Sequence, residues 1–184
     1  MVDDFAWRRL ATLTDSIGNR LSGSPQLTRA IDWAVAEMKK DGLENVHTEA
    51  VMVPHWVRGE CRVETVSPWP QTLAACALGG SVATPPGGLE AEVVRLGSLD
   101  EFSRGDSTRF AGRIVFLDVR MPRREDGSGY GQTVPIRGRG AIEAGRRGAL
   151  AVVIRSVGTD NDRLPHTGAM RYEAGVPRIP AVAV

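Results

Sequence analysis

The groups that could do chemistry are few and scattered. The only histidines are His47, His55 and His166, and each sits in a different local pattern. A catalytic zinc needs three or four N, O or S ligands that converge, commonly announced by a close His pair or a His beside carboxylates. The sequence has no HExxH, no His-x-Asp and no Glu-Glu pair, and Asp3-Asp4 reads as a solvated terminus, so no metal site is expected within these residues. Nucleophiles fare no better. There is no G-x-S-x-G, and Ser156, at a strand end after Arg155, has no identifiable base. No catalytic residue is therefore assigned. The two cysteines, Cys61 and Cys76, lie in apolar stretches without metal or redox spacing. Two buried thiols is the simpler account, and a disulfide stays open.

The run "RGRGAIEAG" has glycines at 138, 140 and 145, too widely spaced for a dinucleotide fingerprint, and "TVPIR" before it is a poor strand. Glycines that ease helix-to-sheet contact explain it better. Arg137 and Arg139 stand at the start of that helix, where positive charge opposes the macrodipole. They either reach solvent or serve an anion. The segment "PHTGAMRY", Pro165 to Tyr172, gathers His166, Arg171 and Tyr172, to line a cleft or to cover the sheet.

The elements that must position these groups follow from periodicity. Phe5, Leu10, Leu13 and Ile17 suit a short helix. A longer one is predicted after Ser24 as N-cap, with Pro25 at the first turn and Gly42 past its end. Leu27, Ile31, Ala34, Val35 and Met38 form its apolar stripe. Val46–Val53 and Cys61–Val66 read as the strands of a hairpin across "PHWVRGE". Pro/Gly punctuation follows in "SPWPQ" and "GGSVATPPGG", placing a domain boundary near Pro68 to Thr72. Beyond it, Leu89–Leu96 alternates like a half-exposed strand. Gly112–Val119 and Ala149–Val157 are near-continuous apolar runs, as in strands covered on both faces. With a helix over "RGRGAIEAGRRG" between them, these runs imply a right-handed βαβ unit with parallel strands. The link from Met121 to Ile136 reads as a long loop, and "IPAVAV" as one more buried strand.

Composition narrows the class. With 184 residues, 42% hydrophobic and 24% charged, the chain can bury a core, and its net charge of +1 gives no footprint for nucleic acid or a membrane surface. Aromatic content of 5% argues against a base-stacking platform. No stretch reaches transmembrane length and no export signal is visible, which leaves localisation open.

Four long segments carry a resemblance. "IGNRLSGSPQLTRAIDWAVAEMKKDGLENVHTEAVMVPHWVRGE", "ALGGSVATPPGGLEAEVV", "GAIEAGRRGALAVVIRSV" and "PHTGAMRYEAGVPRIPAVAV" resemble, in order, the zinc peptidases of the carboxypeptidase Q type. The likeness runs from about Leu10 to Val184, and "GRIVFLDV" through "GALAVVIRS" also resembles a protease-associated (PA) domain. The resemblance implies an α/β fold. Residues 1–70 would hold N-terminal helices and a β-hairpin of an incomplete zinc-peptidase domain, and residues 71–184 a PA insertion with a mixed sheet and a βαβ unit. It implies a hydrolase of dipeptides or terminal peptide bonds, using two zinc ions whose ligands come after the PA insertion. This chain alone is then expected to be inactive and to hold no zinc, its apolar end at Val184 marking the front portion of a larger enzyme. The PA domain would act as lid and selectivity element. By analogy with glutamate carboxypeptidases, Arg137, His166, Arg171 and Tyr172 would form a substrate-facing rim. The implied partner is a peptide or dipeptide, with no nucleic acid or membrane partner and a homodimer left open. The alternative is a stand-alone PA-like module that binds peptides or proteins without catalysis.

Overall fold

Ser24 caps the longest helix. Its backbone is extended, its hydroxyl accepts from the Leu27 amide at 3.2 Å, and Pro25 fills the first helical position, where a missing N–H costs nothing. The computed structural model describes residues 4–104, 106–160 and 162–184. They divide into two compact units, one running to Val57 and the other from Arg58 to Val184. That division falls before the Pro/Gly punctuation on which the sequence-based boundary rests.

In the first unit, α1 (Phe5–Ala11) runs into a π-helical segment (Thr12–Ile17), and α2 (Pro25–Lys40) follows. Arg9 ties the helices together, its two terminal nitrogens each 2.7 Å from an oxygen of Asp41 and its Nε 3.1 Å from Glu37. Among the described residues of this unit only Ile17 and Ala30 are buried hydrophobics. Trp7, Leu21, Ile31, Met38, Met52 and Val57 are all exposed, so the stripe on α2 exists but is only half covered.

The hairpin expected from Val46–Val53 and Cys61–Val66 does not form. No strand is present over 46–53. Alternation favours extended backbone, but a strand exists only where a neighbour completes its hydrogen bonds. The hairpin that does form lies in the second unit, where β1 (Val63–Thr65) pairs antiparallel with β2 (Gln71–Leu73).

The second unit holds a five-stranded mixed sheet in the order β3-β7-β6-β5-β4. Its strands are β3 (Cys76–Ala77), β4 (Val93–Leu96), β5 (Ile114–Leu117), β6 (Ala151–Ile154) and β7 (Ala181–Ala183). β4 to β7 are parallel neighbours and β3 joins antiparallel to β7. The apolar runs of β5 and β6 are paired, Val115 opposite Val152, and lie in one core with Leu96, Phe102, Phe110, Ile154 and Val157. "IPAVAV" becomes β7, inside the sheet between β3 and β6.

The expected helix between β5 and β6 is α4 (Pro135–Gly145), and it starts earlier than predicted, with Pro135 in its first turn. The Met121–Ile136 link is only partly loop, because α3 (Ser128–Thr133) forms within it. Glycine permits this. A β-carbon on Gly129 would lie 1.9 Å from the Pro122 carbonyl oxygen, so the chain folds back only with glycine there. On α4, a β-carbon at Gly140 would come 2.7 Å from Leu117 Cδ1, and one at Gly145 would come 2.6 Å from the Pro177 carbonyl. Gly140 thus eases helix-to-sheet contact, as the sequence reading favoured, whereas Gly145 makes room for the segment ahead of β7.

Gly138, on the same helix, has nothing within 4 Å of an added β-carbon. Gly138→Ala should therefore stabilise the chain by about 0.5–1 kcal/mol through helix propensity. Gly145→Ala should destabilise it by about 1–3 kcal/mol through overpacking against backbone. Urea unfolding of the two variants reads the opposite signs.

Candidate functional site

Arg137 occupies the third position of α4, and its guanidinium lies across a loop that many bonds hold in place. The His166 amide donates to the Ser156 hydroxyl at 2.8 Å and the His166 ring Nδ1 bonds the Val157 carbonyl. Thr167 Oγ1 donates to the Ala77 carbonyl at 2.9 Å, and the Gly79 amide to the Gly168 carbonyl at 2.8 Å. On this seat Arg137 Nη2 donates to the Tyr130 hydroxyl at 2.6 Å and Nη1 approaches the Thr167 carbonyl at 3.5 Å. The Tyr130 ring centroid is 5.7 Å from Arg137 Cζ, within cation–π range.

The helix terminus is not what binds here. Val134 is itself helical, its amide bonds back to Tyr130, and the Arg137 amide bonds to the Val134 carbonyl, so α3 uses amides that α4 would otherwise leave free. Arg139 is spent differently. It points to a wide cleft of about 420 Å³ beside the 3₁₀ turn Leu99–Phe102 and reaches Glu143 at 3.4 Å, largely in solvent.

Two carboxylates collect most of the neighbouring arginines. Asp118, just past β5, has a side chain only 10% exposed and receives Arg155 Nε at 2.5 Å and Arg95 Nε at 2.6 Å. Burial alone would raise its carboxyl, but the hydrogen bonds from Arg155 and Arg95 outweigh it and hold it below the ordinary range. Glu143 on α4 is likewise pushed up by burial and drawn down further by Arg147 and Arg139, with Arg146 adding its charge. Half-buried Arg113 has Glu92 at 3.1 Å. Arg137 is the exception in this unit: half-buried, yet with no carboxylate in ion-pair reach among the described residues.

The four rim residues expected from the sequence are placed unequally. Arg137 and His166 both flank Thr167, with the His166 side exposed and its Nε2 not engaged by the Val157 bond. Arg171 is exposed. Tyr172 is fixed to backbone: its hydroxyl donates to the Ile179 carbonyl at 2.7 Å and accepts from the Val82 amide at 2.9 Å, while its ring packs on the core. Sequence reasoning missed Tyr130 and Gly168 as neighbours of Arg137. Tyr130 stands two helical turns from Arg137, a spacing that shares one face, but the segment was read as loop.

Cys61 and Cys76 are free thiols. Burial pushes the Cys61 thiol up, aided by Cys76, and its sulfur accepts the Ala77 amide. Among the described residues no three His, Cys, Asp or Glu side chains gather as a metal ion would require. The described residues therefore do not fit a zinc centre.

No family model matches the chain. Its sequence is 41% identical to mouse carboxypeptidase Q over 179 residues, 97% of this chain and 37% of the mouse protein. Human carboxypeptidase Q is 41% identical over the same length, 36% of that protein. The chain thus spans little more than a third of the curated relatives it matches. The crystal structure of a peptidase M28 precursor from Shewanella amazonensis superposes with a TM-score of 0.89 at 44% identity, covering 98% of this chain and 41% of that one. A zinc aminopeptidase from Bacillus subtilis, at 22% identity and a TM-score of 0.53, shares the fold. In fold and sequence the chain is thus similar to part of an M28 peptidase. More particularly, the 184 residues are homologous to the N-terminal part of a carboxypeptidase Q-type enzyme.

Asp118→Asn removes the negative charge and one of the two oxygens that accept from Arg155 and Arg95, and should cost about 1–3 kcal/mol near neutral pH. Because the folded carboxyl lies below its ordinary value, its contribution is present above that value and lost as pH falls through the lowered one. The gap in unfolding free energy between the two proteins should therefore narrow below about pH 4. A gap that stays constant down to acid pH would remove Asp118 from this role.

Proposed function

We propose that this chain is the front part of a zinc-dependent exopeptidase that hydrolyses dipeptides or terminal peptide bonds. The observation that carries this reading is the 41% identity to carboxypeptidase Q along 97% of the chain. On this reading the zinc ligands and the catalytic base belong to the part of the relatives that this chain does not cover. Residues 71–184 act as a PA-type lid that closes on the metal site and selects substrate, and residues 1–70 belong to the peptidase domain. The exposed Trp7, Leu21, Ile31 and Met38 support the second part, since so sparse a core calls for further packing. Two zinc ions serve the whole enzyme, and its ligand is a peptide with a free terminus.

Within the lid, Arg137 and His166 hold the substrate's terminal carboxylate, with Arg171 at the outer edge. Tyr172 contributes by fixing the loop that carries His166 and Arg171, through its bonds to Ile179 and Val82.

The longer polypeptide should cleave dipeptides, lose activity to a chelator and regain it with zinc, whereas the 184 residues alone should not cleave. In the longer polypeptide Arg137→Ala should raise KM for substrates with a free carboxylate about tenfold, with kcat within about twofold. An unchanged KM removes Arg137 from the rim. Peptide binding by a longer polypeptide that hydrolyses nothing favours a binding module instead.

A further inference from the structure

Among the half-buried arginines of the second unit, Arg113, Arg147 and Arg155 each have a carboxylate, and Arg137 has none among the described residues. A guanidinium taken partly out of water without a counter-charge is costly unless an anion completes it. Its donors are also only partly used. Nη2 meets the neutral Tyr130 hydroxyl, and Nη1 only grazes the Thr167 carbonyl at 3.5 Å.

Gly168 adds the second observation. A β-carbon there would lie 2.6 Å from Arg137 Cζ, 2.7 Å from Nη1 and 2.8 Å from Nε. The guanidinium therefore lies flat on the Gly168 backbone. Gly168 is not among the glycines with positive φ, so the turn itself does not demand glycine. What demands it is the space taken by Arg137. The seat is rigid, with the Gly168 carbonyl bonded to the Gly79 amide and Ala169 bridged to Gly79.

We infer that Gly168 and Tyr130 are positioning residues that hold Arg137 as a preformed receptor for a carboxylate, complete within this chain and independent of any metal. The inference rests on the proposed rim, whose ligand is a peptide's free carboxylate, and adds to it the two residues that hold Arg137 in place. Preorganisation is the physical content: a side chain held by Tyr130 and Gly168 loses little freedom when the anion arrives.

The test uses the 184-residue chain and the arginine Nε–H resonances, with N-acetylglycine as probe and N-acetylglycinamide as its uncharged match. The Arg137 signal and the Gly168 amide should shift saturably with N-acetylglycine, with a dissociation constant on the order of millimolar, and not with the amide. Gly168→Ala should weaken this at least about tenfold while the thermal midpoint stays within about 2 °C, because the displaced group is the far end of a flexible side chain. Tyr130→Phe, which removes only the hydroxyl, should weaken it in the same sense. Equal response to acid and amide, no response, or Gly168→Ala binding like the parent each overturns the inference. So does a fall in midpoint shared by Gly168→Ala and Arg137→Ala without carboxylate binding, which makes the cluster a structural clip. Because no hydrolysis is read, carboxylate capture here stands even if the longer polypeptide proves not to be a peptidase.

Discussion

Helix α4 is packed so closely that it has no room for β-carbons at Gly140, against Leu117 of β5, or at Gly145, against the Pro177 carbonyl ahead of β7. Its axial position on the sheet is set by Leu117 on one side and the Pro177 carbonyl on the other. Everything at the far end of the helix inherits that placement. Pro135 starts the helix, Ile136 and Ala141 enter the core, and Arg137 is carried to the loop over which it lies. Shifting the helix outward by the width of a methyl group would loosen the core and move the guanidinium together, because interiors at crystal-like density transmit such displacements.

Charge is organised around the same helix and the ends of the strands. Asp118 and Glu143 each gather several arginines, and both remain ionised in the folded chain because those hydrogen bonds outweigh the effect of burial. A surface with this many arginines could present a diffuse positive field. Pairing confines it, in keeping with a net charge of +1. Among the half-buried arginines of the second unit, Arg137 is set apart by being oriented through neutral partners, a hydroxyl and a carbonyl, which align the fork and leave its charge uncompensated.

Much of this arrangement was legible in the residues. The Ser24 cap, the two apolar runs flanking α4 and the buried character of "IPAVAV" follow from local rules, since cap geometry and two-sided burial leave strong traces in sequence. The hairpin over Val46–Val53 was not legible, because alternation specifies a backbone shape and is silent about the partner. α3 was hidden by glycines, Gly127, Gly129 and Gly131, that resemble loop punctuation, although Gly129 serves a tight fold-back under Pro122. With α3 unseen, nothing could bring Tyr130 next to Arg137. The Arg137–Gly168 contact depends on tertiary approach between segments far apart in the chain, which single-sequence periodicity does not encode.

Strand β3 pairs in the sheet with β7 alone, and its outer side is covered locally, where the Ala77 amide meets the Cys61 sulfur and its carbonyl meets Arg58 Nε at 3.1 Å. Cys76 and Ala77 leave the ribosome about a hundred residues before Ala181 to Ala183 do. During that interval β3 has no sheet to join, and β6 offers a bare edge. Joining β3 to β6 thus waits on β7, a non-local pairing of the kind that slows folding and leaves an edge open to other chains meanwhile.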